Sequence, residues 1–263
     1  MKNTILIFTL LFNIVISNAQ TAARKSIYFS HLRNDGLAIG VATGMLGLGY
    51  YLERQSTILT PDGLALLDKA GINRFDRSAV GNNSESARST SDVMLLSCVA
   101  VPISLFFTTR GKAEKLALPV MVYEALAING GVTSIMKATF KRYRPYTYNT
   151  NLPYEQRASP RARESFPSGH VSTTAAATFL SAKVFCDLYP NSPNKKYVWM
   201  IAATVPAVTG VLRYKAGKHF PSDLIAGYII GGTIGYLVPV VHRAKNVKLT
   251  VSETGAPGII VVF

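Results

Sequence analysis

The sequence predicts an all-α, membrane-embedded helical bundle of five to six spanning helices. Apolar segments at 93–109, 117–136, 171–187, 197–212 and 223–241 approach the roughly 20 residues that cross a bilayer. None of them alternates with period two, which argues against a β-barrel. Basic residues gather in the connections, with Arg110, Lys112 and Lys115, then Lys195 and Lys196, then Arg243, Lys245 and Lys248. The positive-inside rule puts all three groups on the cytoplasmic side.

Taken in order, residues 1–19 look like a secretory signal. Lys2 precedes the apolar core Ile5–Ile16, and Ser17-Asn18-Ala19 supplies small residues for cleavage. An uncleaved first membrane helix is the alternative. Residues 20–92 form an N-terminal region. Within it Gly36–Tyr51 is apolar, and Gly36, Gly40 and Gly44 share a face suited to close helix packing. After it come short amphipathic helices over one mouth of the bundle, with Thr60 as a cap, Pro61 at the first helical position and solvated charges. With a cleaved signal and five spans the segment 36–51 does not cross fully; if it crosses, the N-terminus starts inside.

Residues 93–241 make up the bundle that carries the motifs below. The stretch 146–166, rich in Tyr, Pro and Arg, is a loop long enough to imply a role. Its Arg157, Arg161 and Arg163 are equally suited to an anionic headgroup or to solvent. The tail 242–263 reads as a small hairpin. Cys98 and Cys186 lie in apolar segments without paired spacing, so no disulfide is expected. The net charge of +14 fits nucleic acid in principle. The apolar runs exclude that partner and assign the cations to lipid headgroups and phosphate.

Three short motifs then fall on one face, opposite the basic connections. Lys137 is seven residues before Arg144-Pro145, so a helix would stack the two cations about 10 Å apart along one side. Pro167-Ser168-Gly169-His170 leads into an apolar run. There a helix N-terminus offers backbone N–H groups to an anion, and Gly169 permits close approach. In the third motif Arg213 precedes His219 and Asp223. At i, i+4 the carboxylate can hold one imidazole nitrogen and leave the other free to attack. Together these groups suit transfer of a phosphoryl group without a metal. No Asp, Glu and His cluster has metal-ligand spacing, so no metal and no other cofactor is expected.

The motifs resemble the signature of the type 2 phosphatidic acid phosphatase / vanadium haloperoxidase superfamily, over roughly residues 93–241. The pattern is Lys-x6-Arg-Pro, Pro-Ser-Gly-His, and Ser-Arg-x5-His-x3-Asp. Leu212 stands where the pattern has Ser, so that polar contact is lost. The resemblance implies His219 as nucleophile, Asp223 as its orienting partner and His170 as general acid. It implies Lys137, Arg144, Ser168, Gly169 and Arg213 as the phosphate cradle.

The expectation is a phosphatase of the bacterial inner membrane, with its site facing the periplasm. It would act on a lipid phosphate monoester or pyrophosphate through a phosphohistidine. Its partners would be the lipid phosphate and membrane lipids; the oligomeric state is left open. A vanadium haloperoxidase, a soluble periplasmic acid phosphatase and a non-catalytic lipid-phosphate-binding protein are the alternatives.

Overall fold

The computed structural model describes residues 27–28, 32–109, 112–243, 246–251 and 257–262. The expected signal, 1–19, lies outside the described residues. Helices run α1 (Leu32–Glu53), α2 (Pro61–Ala65), α3 (Arg74–Arg77), α4 (Glu85–Thr108), α5 (Lys112–Phe140), α6 (Tyr154–Arg157), α7 (Gly169–Leu188), α8 (Lys195–Lys215) and α9 (Pro221–Arg243). The tail pairs β1 (Asn246–Val251) with β2 (Pro257–Val262) as an antiparallel hairpin, Asn246 opposite Val262.

Among the described residues, three helical stretches are long and apolar enough to cross a membrane: Glu85–Phe107, Lys112–Tyr148 and Pro221–Arg243. That is fewer than the five to six expected, and the packing explains why. Helix α7 lies against α4, α5, α8 and α9. Enclosed by protein, it needs no apolar coat and buries Ser172, Thr174, Thr178 and Ser181. Their hydroxyls are satisfied, Thr174 and Ser181 by carbonyls within α7, Ser172 by Asn129 of α5, and Thr178 by the carbonyl of Ala202 in α8 at 3.0 Å. Helix α8 begins with Lys195-Lys196 and ends with Arg213 and Lys215, which shortens its apolar run.

Contact between α7 and α9 depends on glycine. A Cβ on Gly227, Gly231 or Gly235 would lie 2.5, 1.9 or 2.3 Å from a carbonyl oxygen of α7 or its cap. Gly231→Ala therefore forces the two backbones apart by more than an ångström, since ordinary C···O approach is about 3.3 Å. Alanine's helix propensity returns only about 1 kcal/mol. Overpacking of this kind costs about 1–3 kcal/mol or more, so the expected result is a lower Tm in detergent. An unchanged or raised Tm would contradict this packing.

Helix α1 runs parallel to α5 along its length, from Thr43 beside Tyr123 to Glu53 beside Lys137. Among the described residues the expected Gly36, Gly40 and Gly44 face is not the contact: none of them lies within 4 Å of a Cβ placed on any of these glycines. The close approach runs instead through Gly49 to Ser134 and through Gly130–Gly131 to Met45 and Leu46. Residue identity marked small faces in both helices; which one faces a neighbour follows from helix rotation, set by packing.

The segment 54–84 closes one end of the bundle. Thr60 Oγ1 accepts from Gly63 N at 3.2 Å, with Pro61 opening α2, as expected. Leu59 and Leu64 pack on Tyr146, Ala158 and Ala162. Asp76 corrects the expectation of solvated charges, being 1% exposed and ion-paired to Arg142 at 2.7 Å. Residues 146–166 are likewise folded. Arg157 donates to the Thr147 carbonyl at 3.0 Å and Arg163 to the Tyr143 hydroxyl at 2.6 Å, whereas the Arg161 side chain is exposed.

Candidate active site

The cradle forms where the C-terminal end of α5, the N-termini of α7 and α9 and the last turn of α8 meet. Helix α5 stops at Phe140 because Lys141 takes a left-handed conformation, φ 47°, and its N–H closes onto the Lys137 carbonyl at 3.0 Å. Arg144 is therefore extended, not helical (φ −80°, ψ 154°). Lys137 and Arg144 do not share a helix face, as their spacing suggested. The turn between them bends the chain so that both still reach the site.

Lys137 Nζ lies 3.2 Å from the position a Cβ on Gly169 would take, so a side chain there would press on the ammonium. Buried Arg144 is held by the Arg161 carbonyl on Nε at 2.9 Å. Its Nη1 faces His219 Nε2 at 3.4 Å. Ser168 caps α7 without a side-chain hydrogen bond to the first turn, so those N–H groups point into the cradle. Two buried polar atoms here lack any hydrogen-bond partner: Ser168 Oγ and Arg213 Nε. Buried donors left unpaired cost about 1–3 kcal/mol each, and a tetrahedral oxyanion is the ligand that satisfies them.

His219 is 1% exposed. Its Nδ1 sits 2.7 Å from the Ser165 carbonyl oxygen. A carbonyl only accepts, so Nδ1 carries the proton and Nε2 presents its lone pair to the cradle. Burial, then the charges of Arg144, Arg213 and Lys137, push this imidazole well below its ordinary pKa, which keeps it neutral and nucleophilic. Burial, then the charges of Arg144, Arg213 and Arg88, bring Lys218 down to about 8.

Asp223 differs from expectation. Its Oδ2 is 3.9 Å from His219 Nδ1, beyond hydrogen-bond range. The carboxylate instead accepts from Ser165 Oγ at 2.5 Å and Phe220 N at 2.9 Å. It is thus connected to His219 through Ser165, whose carbonyl makes the direct contact. Arg142 links Asp223 at 2.5 Å to Asp76 at 2.7 Å. Burial alone would raise the Asp76 carboxyl; the Ser222 amide and Arg142 outweigh it and lower it.

His170 Nε2 meets Asp92 Oδ1 at 2.8 Å, and Arg213 Nη1 reaches the same oxygen at 3.2 Å. Asp92 belongs to the polar opening of α4, which starts at Glu85 after the Ser84 cap, eight residues before the apolar segment. Asp92, Ser165, Arg142 and Lys218 all went unnoticed in the sequence, and Asp76 belongs to the group expected to be solvated. The only available signal was a charge next to an apolar run, as at Asp92, or next to a motif residue, as at Lys218.

The expectation of no metal-spaced cluster needs one correction. Asp35, Glu124 and His242, far apart in sequence, converge at the other end of the bundle.

This arrangement can be set beside known proteins. The PAP2 superfamily profile matches residues 118–246, which include all three motifs. A lipid A 1-phosphatase of Rhizobium etli is 29% identical over 73% of this chain and 84% of its own length. An undecaprenyl-diphosphatase of Sulfolobus acidocaldarius is 26% identical over 57% of this chain and 66% of its own. The crystal structure of a transmembrane PAP2-type phosphatidylglycerolphosphate phosphatase from Bacillus subtilis aligns over 89% of this chain and 93% of that one, at 20% identity and TM-score 0.43. The profile covers every motif of the cradle, so residues 118–246 are similar to the PAP2 superfamily.

Proposed function

We propose that this protein is a membrane lipid phosphatase that hydrolyses a phosphate monoester or pyrophosphate at the cradle, through a phosphohistidine. The observation that carries the reading is the lone pair of His219 Nε2 aimed into a pocket where Ser168 Oγ and Arg213 Nε await an acceptor. His219 Nε2 attacks phosphorus in line as the bond to the leaving oxygen breaks. His170 gives that oxygen a proton, then takes one from the water that cleaves the phosphorus–nitrogen bond. Lys137, Arg144, Arg213, the Ser168 hydroxyl and the Gly169 amide neutralise the equatorial oxygens. The guanidinium forks of Arg144 and Arg213 suit planar contact with two oxygens.

A lipid substrate is supported by an apolar groove of about 580 Å³ beside the cradle. Val171, Pro206, Gly210, Val211, Leu224 and Ile229 line it. A chain lying there would hold its headgroup next to Ser168 and His170. The names of the relatives agree with this class of substrate.

The purified protein should release inorganic phosphate from at least one of phosphatidate, phosphatidylglycerophosphate, undecaprenyl pyrophosphate and lipid A. That activity should survive excess chelator, because the cations of the cradle are side chains. Vanadate should inhibit by mimicking the five-coordinate transition state. No release from any of the four lipids, or loss with EDTA reversed by a divalent ion, would count against the reading. Bromination with vanadate and peroxide would favour a haloperoxidase instead.

The distribution of basic connections supports an inner-membrane protein with a periplasmic site. A cysteine at Thr150 should react with an impermeant thiol reagent in cells with a permeabilised outer membrane, and one at Asn194 should not. The reversed pattern would place the site in the cytoplasm.

A further inference from the structure

Three buried polar atoms among the described residues lack a hydrogen-bond partner. Two are in the phosphate cradle; the third is Glu124 Oε1. Glu124 lies inside α5, where an ionisable side chain is costly and calls for a partner. Its other oxygen, Oε2, is 2.7 Å from His242 Nε2. Asp35 completes the group: one ligand atom from each of the three residues lies within 4.8 Å of the others. All are buried, at 8% for Asp35, 4% for Glu124 and 5% for His242.

We infer that Asp35, Glu124 and His242 bind a divalent cation of the zinc class and thereby clamp α1, α5 and α9 together. Three protein ligands from three helices, with one position left to water, suit such an ion. Two carboxylates offset its two charges, so the loaded cluster is neutral and cheaper to bury. The imidazole favours zinc over magnesium or calcium. Ligand atoms on one tetrahedral zinc lie about 3.3 Å apart, given bonds of about 2.0–2.1 Å. The present 2.7 Å and the 4.8 Å limit bracket that value, so side-chain adjustment alone brings the three onto one ion. Glu124 Oε1 is the atom left without a donor, and a cation held by both oxygens of this carboxylate satisfies it.

Position separates this site from the phosphatase chemistry. Asp35 precedes Glu53, the neighbour of Lys137, by five helical turns, about 27 Å. His242 follows Asp223 by a similar distance along α9, about 28 Å. The cluster thus sits at the bundle end opposite the cradle, and the inference does not rest on the proposed reaction.

The test uses the full chain purified in detergent, stripped with chelator and titrated with Co²⁺, whose visible absorption reports tetrahedral coordination. One equivalent should saturate the signal, Zn²⁺ should displace it, and Zn²⁺ should raise the Tm of the stripped protein. Glu124→Gln and His242→Gln should each weaken binding at least tenfold and abolish the Tm response. Hydrolysis of p-nitrophenyl phosphate by these variants shows that they are folded. Should either fail to fold, Asp35→Asn takes its place with the same expected loss. Absence of the Co²⁺ signal in the parent, or binding unchanged in the folded variants, would overturn the proposal and leave a His–carboxylate ion pair only.

Discussion

His219→Ala should abolish phosphate release from every substrate, by on the order of 10⁴-fold or more, the scale of losing a covalent nucleophile. The unprotonated Nε2 of this imidazole faces Arg144 Nη1 at 3.4 Å in the cradle. Its Nδ1 is committed to the Ser165 carbonyl, and its neutrality is enforced by burial among Arg144, Arg213 and Lys137. His170 cannot stand in, since its Nε2 is tied to Asp92 in a different part of the cradle. The parent should trap an acid-labile, base-stable phosphoprotein, and the variant should not. Near-normal turnover in His219→Ala would end the phosphohistidine mechanism. Stability gives a second readout. Because folding depresses the His219 pKa, the unfolded chain takes up the proton first. The neutral imidazole is accommodated at full stability above about pH 6.5, the unfolded value, and stability falls as pH drops below it.

His170→Ala should slow hydrolysis of a lipid phosphate by about 10²–10⁴-fold, the usual range for acid–base catalysis. The alkoxide of a lipid leaves poorly without a proton, whereas p-nitrophenolate needs little help. On p-nitrophenyl phosphate the first step should therefore change much less. Phosphoenzyme should then accumulate, because the same histidine activates the hydrolytic water. With Nε2–H given to the Asp92 carboxylate, Nδ1 is the His170 nitrogen left to exchange a proton. Single-turnover phosphorylation on the two substrates decides the matter. Equal slowing for both leaving groups would reduce His170 to a phosphate-binding residue.

Much of the cradle was legible because its parts are short-range. Ser168 caps a helix that Gly169 opens, both by sequence adjacency, so the local chain suffices to place them at its N-terminus. His219 and Asp223 were correctly placed near each other by an i, i+4 rule. That rule misjudged the contact, since His219 lies outside α9, before its first residue Pro221, and the Ser165 carbonyl takes the place the carboxylate was expected to fill. Asp92 and Asp76 were illegible for a different reason. Each joins its partner across a long stretch of chain, Asp92 to His170 and Asp76 to Ser222, and nothing local distinguishes them from solvated acids.

The sequence by itself determined the class of the protein: apolar segments of near-spanning length, no strand periodicity among them, and three motifs whose residue types suit an oxyanion. These are properties of composition and spacing, and they hold wherever the helices end up. Only the tertiary structure decided which helix is enclosed and which faces lipid, because that depends on how many neighbours surround it. It also decided which glycines touch, through the rotation of each helix about its axis. Above all it decided which charges are paired. Asp223 with Arg142 and Asp76, and Glu124 with His242, meet because a buried charge is tolerated only beside a partner, and packing alone brings those partners together.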